Sequence, residues 1–223
     1  NMCRPLELVF ANGMDKGVQV GIQTGDVTKM NTFNEFYDAY KKQMEYCISL
    51  MVNADNAIDV AHAERCPLPF LASMVDDCLT RGLTAEQGGA VYNFTGPQGF
   101  GIANMADSLY AIRKLVYEDK KVSMETYKEA LAWNYDKKKK KKSVADMSEM
   151  ILKGMQDAGM TVNEDTAKAV LQTVMRLKPS DEQIQKFTEL HDMIDEVPKF
   201  GNAIDDVDYF ARDVAYTYSR PLQ

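Results

Sequence analysis

Cysteine, histidine, basic charge and long apolar runs are all scarce in this sequence, and each scarcity removes a class of protein. The four cysteines, Cys3, Cys47, Cys66 and Cys78, lie 44, 19 and 12 residues apart without a C-x-x-C pair. A disulfide scaffold and the paired thiolates of a zinc or redox motif are therefore excluded, and free thiols in a reducing compartment are expected. No run approaches the roughly 18 to 20 apolar residues of a membrane-spanning helix, and no basic start followed by an apolar stretch marks an export leader. The chain reads as cytoplasmic, without membrane contact. Lysine and arginine total 26 against 33 aspartates and glutamates, a net charge of −7 that already includes a run of six lysines at 137–142. An acidic surface repels phosphate backbones, so nucleic acid is a poor partner. What is present is the composition of a globular protein: 223 residues, 45% hydrophobic and 26% charged, with apolar area enough for a core. The chain opens Asn1-Met2 inside an apolar phrase and closes on Pro221-Leu222-Gln223 without a polar tail, so it reads as a piece of something longer.

Helical periodicity dominates. Arg4-Pro5-Leu6-Glu7-Leu8-Val9-Phe10 is a short apolar helix with proline in its first turn and Asn12-Gly13 as its stop. Thr32-Phe33-Asn34-Glu35 is a capping box, and apolar residues from Phe36 through Tyr40, Met44, Ile48 and Ile58 to Ala61 follow at helical spacing. Phe70 to Thr80 resumes a helix that Arg81-Gly82 ends. Asn104 is placed to cap a helix over Met105 to Tyr117, and Ser123 to cap the next, with Val122 and Tyr127 as its hydrophobic staple. The six lysines read as a solvated linker, followed by two amphipathic helices, Met147 to Ala158 and Thr166 to Lys178, as an inserted hairpin. Ser180 caps a helix carrying Ile184, Phe187, Leu190 and Ile194, and a last helix carries Val207, Phe210, Val214 and Tyr218. Three segments result: 1–136, an insertion at 137–180, and 181–223.

One stretch differs in kind. Gly88-Gly89-Ala90-Val91-Tyr92-Asn93-Phe94 predicts a short buried strand near 89–94, followed by the loop Thr95-Gly96-Pro97-Gln98-Gly99-Phe100-Gly101 and then a helix. Glycines at such a corner let a backbone approach a ligand or a second loop, and a helix N-terminus favours an anion or carbonyl oxygen. The order G-x-x-G-x-G is not the dinucleotide fingerprint, and no P-loop lysine follows. A lone strand cannot satisfy its own backbone, so a structural corner and a site remain alternatives.

Asp55, Asp59 and His62 share one face of the long helix, with Glu64 and Arg65 just beyond. A second Glu-x-x-His helix is missing and the other histidine is His191, so a buried polar network is expected here and no metal. Asp76-Asp77 and Asp205-Asp206 could pair as catalytic carboxylates, but acids are also at home on helix surfaces and in first turns, and that reading is preferred. The methionines recur at helical spacing as core filler.

Several phrases together resemble the glycyl radical enzymes of the pyruvate formate-lyase superfamily, and within it the glycerol and 1,2-propanediol dehydratase group. They are Met2-Cys3-Arg4-Pro5-Leu6-Glu7, Ala54-Asp55-Asn56-Ala57-Ile58-Asp59-Val60-Ala61-His62-Ala63-Glu64-Arg65, Pro67-Leu68-Pro69-Phe70, Gly88 through Gly99, Ala106-Asp107-Ser108-Leu109 and Pro198-Lys199-Phe200-Gly201-Asn202. The resemblance implies an α/β fold, of which this chain is a helix-rich portion of a ten-stranded α/β barrel. It also implies lyase chemistry: a glycyl radical oxidises a cysteine to a thiyl, which takes a hydrogen atom from a small diol so that water leaves and an aldehyde forms. Hydroxyproline dehydration is the alternative within the family, and a non-catalytic helical interaction module is the alternative outside it. The family's radical is installed by a radical S-adenosylmethionine activase carrying an iron–sulfur cluster, with no cobalamin. A homodimer, an anaerobic cytoplasm and association with a bacterial microcompartment belong to the same picture. None of the four cysteines stands in the family's Cys-Val-Glu context and the glycyl loop is missing, so these residues alone should be inactive. The match places Asn93, Thr95, Gln98 and Gly99 toward the barrel interior, as lining or support of the site.

Overall fold

The computed structural model describes residues 2–94, 96–134, 144–157, 163, 166–168, 170 and 179–222. They form two compact units, one of residues 1–113 and 198–223 and the other of residues 114–197, so the second unit is wider than the segment set apart by composition. The six-lysine run and most of the second expected hairpin helix lie outside the described residues.

The first unit is built around one long helix. Helix α1 (Cys3–Phe10) ends where Asn12 and Gly13 turn left-handed, at φ of 51° and 78°. A two-residue hairpin, β1 (Met14–Asp15) against β2 (Val18–Gln19), follows in antiparallel register. Helix α2 (Phe33–Arg65) starts at the expected capping box, with the Thr32 hydroxyl accepting from Glu35 N–H and the Glu35 carboxylate reaching back to Thr32 N–H. Its first four turns bury Phe36, Ala39, Tyr40, Met44 and Ile48 against α1. Gln43 is fully buried among them, its amide accepting from Ile22 N–H at 3.2 Å and donating to Ile22 carbonyl at 2.6 Å. A side chain on Gly21 would collide with that amide, which explains a glycine in an otherwise extended stretch.

The expected helix over Phe70–Thr80 is two short ones, α3 (Pro69–Ala72) and α4 (Cys78–Arg81), because Asp77 adopts a left-handed φ of 70° between them. Helix α5 (Ile102–Ile112) follows Gly101 as its N-cap, three residues before Asn104, whose carbonyl accepts from Ser108 within the helix; Asn104 is therefore not the cap. The chain continues from α5 as a π-helical segment over Arg113–Glu118. Helix α9 (Asp205–Ser219) packs on α5 and on α2. Phe210 lies 5.9 Å from Phe33, 5.8 Å from Tyr37 and 6.1 Å from Tyr110, tying three helices through one ring cluster. Two phrases distant in sequence meet here: Asp107 accepts from Phe200 N–H at 2.8 Å, and Asp206 accepts from the Tyr110 hydroxyl at 2.7 Å.

The expected strand near 89–94 does not form; among the described residues the β1–β2 hairpin is the one ladder. Val91 and Tyr92 are 50% and 89% exposed, and among the described residues no strand meets their backbone. Alternating β-formers supply only half of a ladder, and the other half has to come from a partner.

In the second unit, α6 (Met124–Ala132) begins at Ser123, whose hydroxyl accepts from Thr126 N–H. It packs on α8 (Asp181–Glu196), capped by Ser180 and Gln183, with Phe187 and Leu190 buried. Helix α7 (Val144–Asp157) covers the first expected hairpin helix.

Candidate functional site

Three elements of the first unit converge around the glycine loop. Phe100 carbonyl accepts from Met2 N–H at 2.9 Å, joining the loop to the start of α1. Gly99 lies flat against the Tyr218 ring of α9, where an added Cβ would sit 2.8 Å from Cδ1. That contact, rather than a special φ, is the reason for glycine at 99. The Tyr218 hydroxyl is shielded and has no hydrogen-bond partner among the described residues. Burial, and then the charge of Asp55, push its pKa above the ordinary tyrosine value.

A cavity of about 350 Å³ opens beside the loop, lined by Asp59, His62, Ala85, Glu86, Asn93 and Phe94. Asn93 is oriented by its Nδ2, which donates to Ala85 carbonyl at 3.0 Å. Glu86 accepts from Leu68 N–H at 3.3 Å. Its own backbone N–H, assisted by that of Leu68 and by the charge of nearby His62, holds the Glu86 carboxyl below the usual carboxylate range. A carboxylate, an imidazole, a second acid and an amide around one opening can accept from and donate to a small polyhydroxylated molecule.

The expected residues are thus divided. Asp59, His62 and Asn93 come together at the cavity, whereas Asp55 faces Tyr218 instead. Glu64 and Arg65 are exposed, as are Asp59 and His62, so among the described residues the five do not make the buried network foreseen; the short turn Ala85–Gln87 meets that half of α2 without covering them. Gln98 is exposed, Gly99 is half-buried against Tyr218, and Thr95 lies outside the described residues. Glu86 escaped the sequence reading. The Thr84-x-x-Gln87 capping box around it was the available signal, since it builds the short turn that presents Glu86. The one group of metal-competent side chains among the described residues is His191, Asp192 and Asp195 in the second unit. His191 Nδ1 lies 3.2 Å from the Asp195 carboxylate one turn on, the spacing of an ordinary helix-surface ion pair. None of the four cysteines is in a disulfide, and burial pushes the Cys3 and Cys47 thiols above their usual pKa. No described helix is long and apolar enough to cross a membrane.

The pyruvate formate lyase-like family model matches residues 1–223, and the chain belongs to that family. It is similar to the protein of a structure on 1,2-propanediol dehydration in Roseburia inulinivorans, at 52% identity and a TM-score of 0.80, over 100% of this chain and 26% of that one. It is similar also to the glycerol-bound B12-independent glycerol dehydratase of Clostridium butyricum, at 36% identity and a TM-score of 0.72, over 99% of this chain and 22% of that one. A curated relative, trans-4-hydroxy-L-proline dehydratase of Clostridioides difficile, is 37% identical over 138 residues, 61% of this chain and 18% of the relative. The chain therefore spans about a fifth to a quarter of the length of these proteins. Its fold is a helix-rich portion of the glycyl radical enzyme α/β barrel.

Proposed function

We propose that these residues belong to a glycyl radical dehydratase that removes water from 1,2-propanediol, or from glycerol, to give the aldehyde. The observation that carries this reading is the 52% identity to the Roseburia inulinivorans protein across the whole of this chain, residues 137–180 included. Over nearly the same span, the structure of the Clostridioides difficile hydroxyproline dehydratase is 26% identical, half the value for the Roseburia inulinivorans protein, which makes hydroxyproline the weaker choice of substrate.

The glycyl radical, when installed in such a protein, supplies hydrogen-atom abstraction through a cysteine. None of the four cysteines here fits that role: each lacks the Cys-Val-Glu context, Cys78 is buried and Cys66 is exposed at the end of α2. No radical step is assigned to this chain. Its contribution is support and lining: Gly99 and Tyr218 fix the loop, and Asn93 and Gln98 offer amides to substrate hydroxyls. An S-adenosylmethionine-dependent activase with an iron–sulfur cluster, a homodimer, an oxygen-free cytoplasm or microcompartment, and independence from cobalamin all follow from the same reading.

The test is anaerobic activation of the full polypeptide followed by substrate comparison. A glycyl radical doublet in the electron paramagnetic resonance spectrum and propanal from 1,2-propanediol are expected. Asn93→Ala and Gln98→Ala should each lower kcat/KM about tenfold to a hundredfold through lost positioning, with the radical doublet unchanged. Turnover of trans-4-hydroxyproline with neither diol consumed would transfer the protein to the other activity.

A further inference from the structure

We infer that Tyr218 is a positioning residue for the glycine loop: its ring backs Gly99 while its hydroxyl donates to the Asp55 carboxylate, so that one phenol locks the loop to the middle of α2. The contact stands on its own geometry, whereas its effect on turnover rests on the dehydratase reading above. Tyr218 lies in the last turn of α9, one turn after the fully buried Val214 and beside Thr217, whose hydroxyl donates to Val214 carbonyl at 2.7 Å. A ring anchored in that way presents a fixed surface to the chain that crosses it. Gly99 crosses it so closely that an added Cβ would meet Cδ1, Cε1 and Cγ of the ring at 2.8, 3.0 and 3.3 Å. Just beyond Gly99 the loop is held a second time, by Met2 N–H on Phe100 carbonyl.

The hydroxyl is the part of Tyr218 that packing leaves unexplained. It is shielded and has no hydrogen-bond partner among the described residues, and a buried donor without an acceptor is costly enough that folded proteins rarely keep one. Asp55 is the charged group that acts on it. That carboxylate is itself half-buried, whereas every other residue from Val52 through His62 is exposed, so the one partly covered side chain on this open stretch of α2 is an acid. Burial, and then the Asp55 charge, keep the phenol protonated and therefore able to donate. Rotation of the short Asp55 side chain supplies the acceptor, and a hydrogen bond to an ionised acceptor is of the stronger kind. Asp55 thereby has a task apart from Asp59 and His62, which line the cavity further along the same helix.

Tyr218→Phe tests the assignment in the full polypeptide, because it keeps the ring under Gly99 and deletes only the donor. The amides of Met2 and Met105 donate to the loop carbonyls of Phe100 and Gly101, so their hydrogen exchange reports the loop. Tyr218→Phe should speed both about tenfold, with the amide of Tyr40 in the covered half of α2 unchanged as a control. Asp55→Ala should do the same, the double variant should be no faster than either single one, and Asp55→Asn, whose carbonyl oxygen still accepts, should stay near wild type. In turnover of 1,2-propanediol, Tyr218→Phe should raise KM about tenfold at nearly unchanged kcat, with the radical doublet intact, as expected of lost substrate positioning. Unchanged exchange in Tyr218→Phe overturns the inference, and so do additive effects of Tyr218→Phe and Asp55→Ala, which would mean that the two side chains act separately. Faster, non-additive exchange in a protein that consumes neither diol upholds the contact and overturns the dehydratase reading alone.

Discussion

The two halves of α2 share one helix, one capping box and one period, yet they live in different surroundings. In the first, Phe36 and Tyr40 are 0% exposed and Ile48 is 3% exposed; in the second, Leu50 and Ile58 are 48% and 50% exposed. The comparison teaches that an amphipathic stripe specifies which face seeks a partner and is silent about where the partner is. For Phe36 it is α1, where the Phe10 ring lies 5.6 Å away. For Ile58, 50% exposed, none is found among the described residues.

Substitutions can break this contrast, starting with the strongest. Phe36→Ala, in a fully buried position with Phe10 at 5.6 Å, should cost about 3 to 5 kcal/mol in denaturant unfolding. Gln43→Leu strands the N–H and carbonyl of Ile22 and should cost about 1 to 3 kcal/mol, although the side chain becomes more apolar. Gly99→Ala should cost a similar ~1 to 3 kcal/mol by overpacking the Tyr218 ring, and Tyr218→Ala should relieve part of that penalty in a double-mutant cycle. Ile58→Ala closes the series at about 0.5 kcal/mol or less in the 223-residue chain. The same change made in a longer polypeptide sharpens the contrast, since a cost near that of Ile48→Ala would show the second half of the helix covered as deeply as the first.

A pH effect belongs to the covered half. Burial, reinforced by Asp213 and opposed by Arg220, pushes the Tyr37 pKa from 10.0 up to about 12. A raised pKa favours the neutral phenol in the folded state, so this contribution to stability is complete below pH 10 and is lost as pH rises from 10 toward 12. Tyr37→Phe should flatten that alkaline loss in pH-dependent unfolding.

Much of the fold is legible where local chemistry settles the matter. Thr32 with Glu35 and Ser180 with Gln183 cap helices as their spacing requires, and Asn12-Gly13 stops α1. The failures occur where local chemistry is indifferent. Asp77 in a left-handed conformation divides a stretch whose periodicity reads as one helix, and no periodicity records a single positive φ. Val91-Tyr92-Asn93-Phe94 has the residues of a strand, but ladder formation depends on a partner that a single segment cannot encode. The site was half legible: Asp59, His62 and Asn93 announced themselves as polar groups at special spacing. Glu86 reaches them through a turn whose approach to α2 depends on tertiary contacts such as Gln87 Nε2 to Ala63 carbonyl.

The clasp between Asp107 and Phe200 spans 93 positions of sequence, and Arg113 adds a second tie to Asp206 at 3.6 Å. Within the first unit, the point where the chain departs after Arg113 and the point where it returns at Pro198 are thereby stitched side by side. Closing a long excursion at such a gate costs little more entropy when the excursion lengthens, because the penalty grows only with the logarithm of its length. The clasp therefore makes the intervening stretch a replaceable cassette: lineages can lengthen, shorten or exchange it while the helices that carry the glycine loop keep their registration.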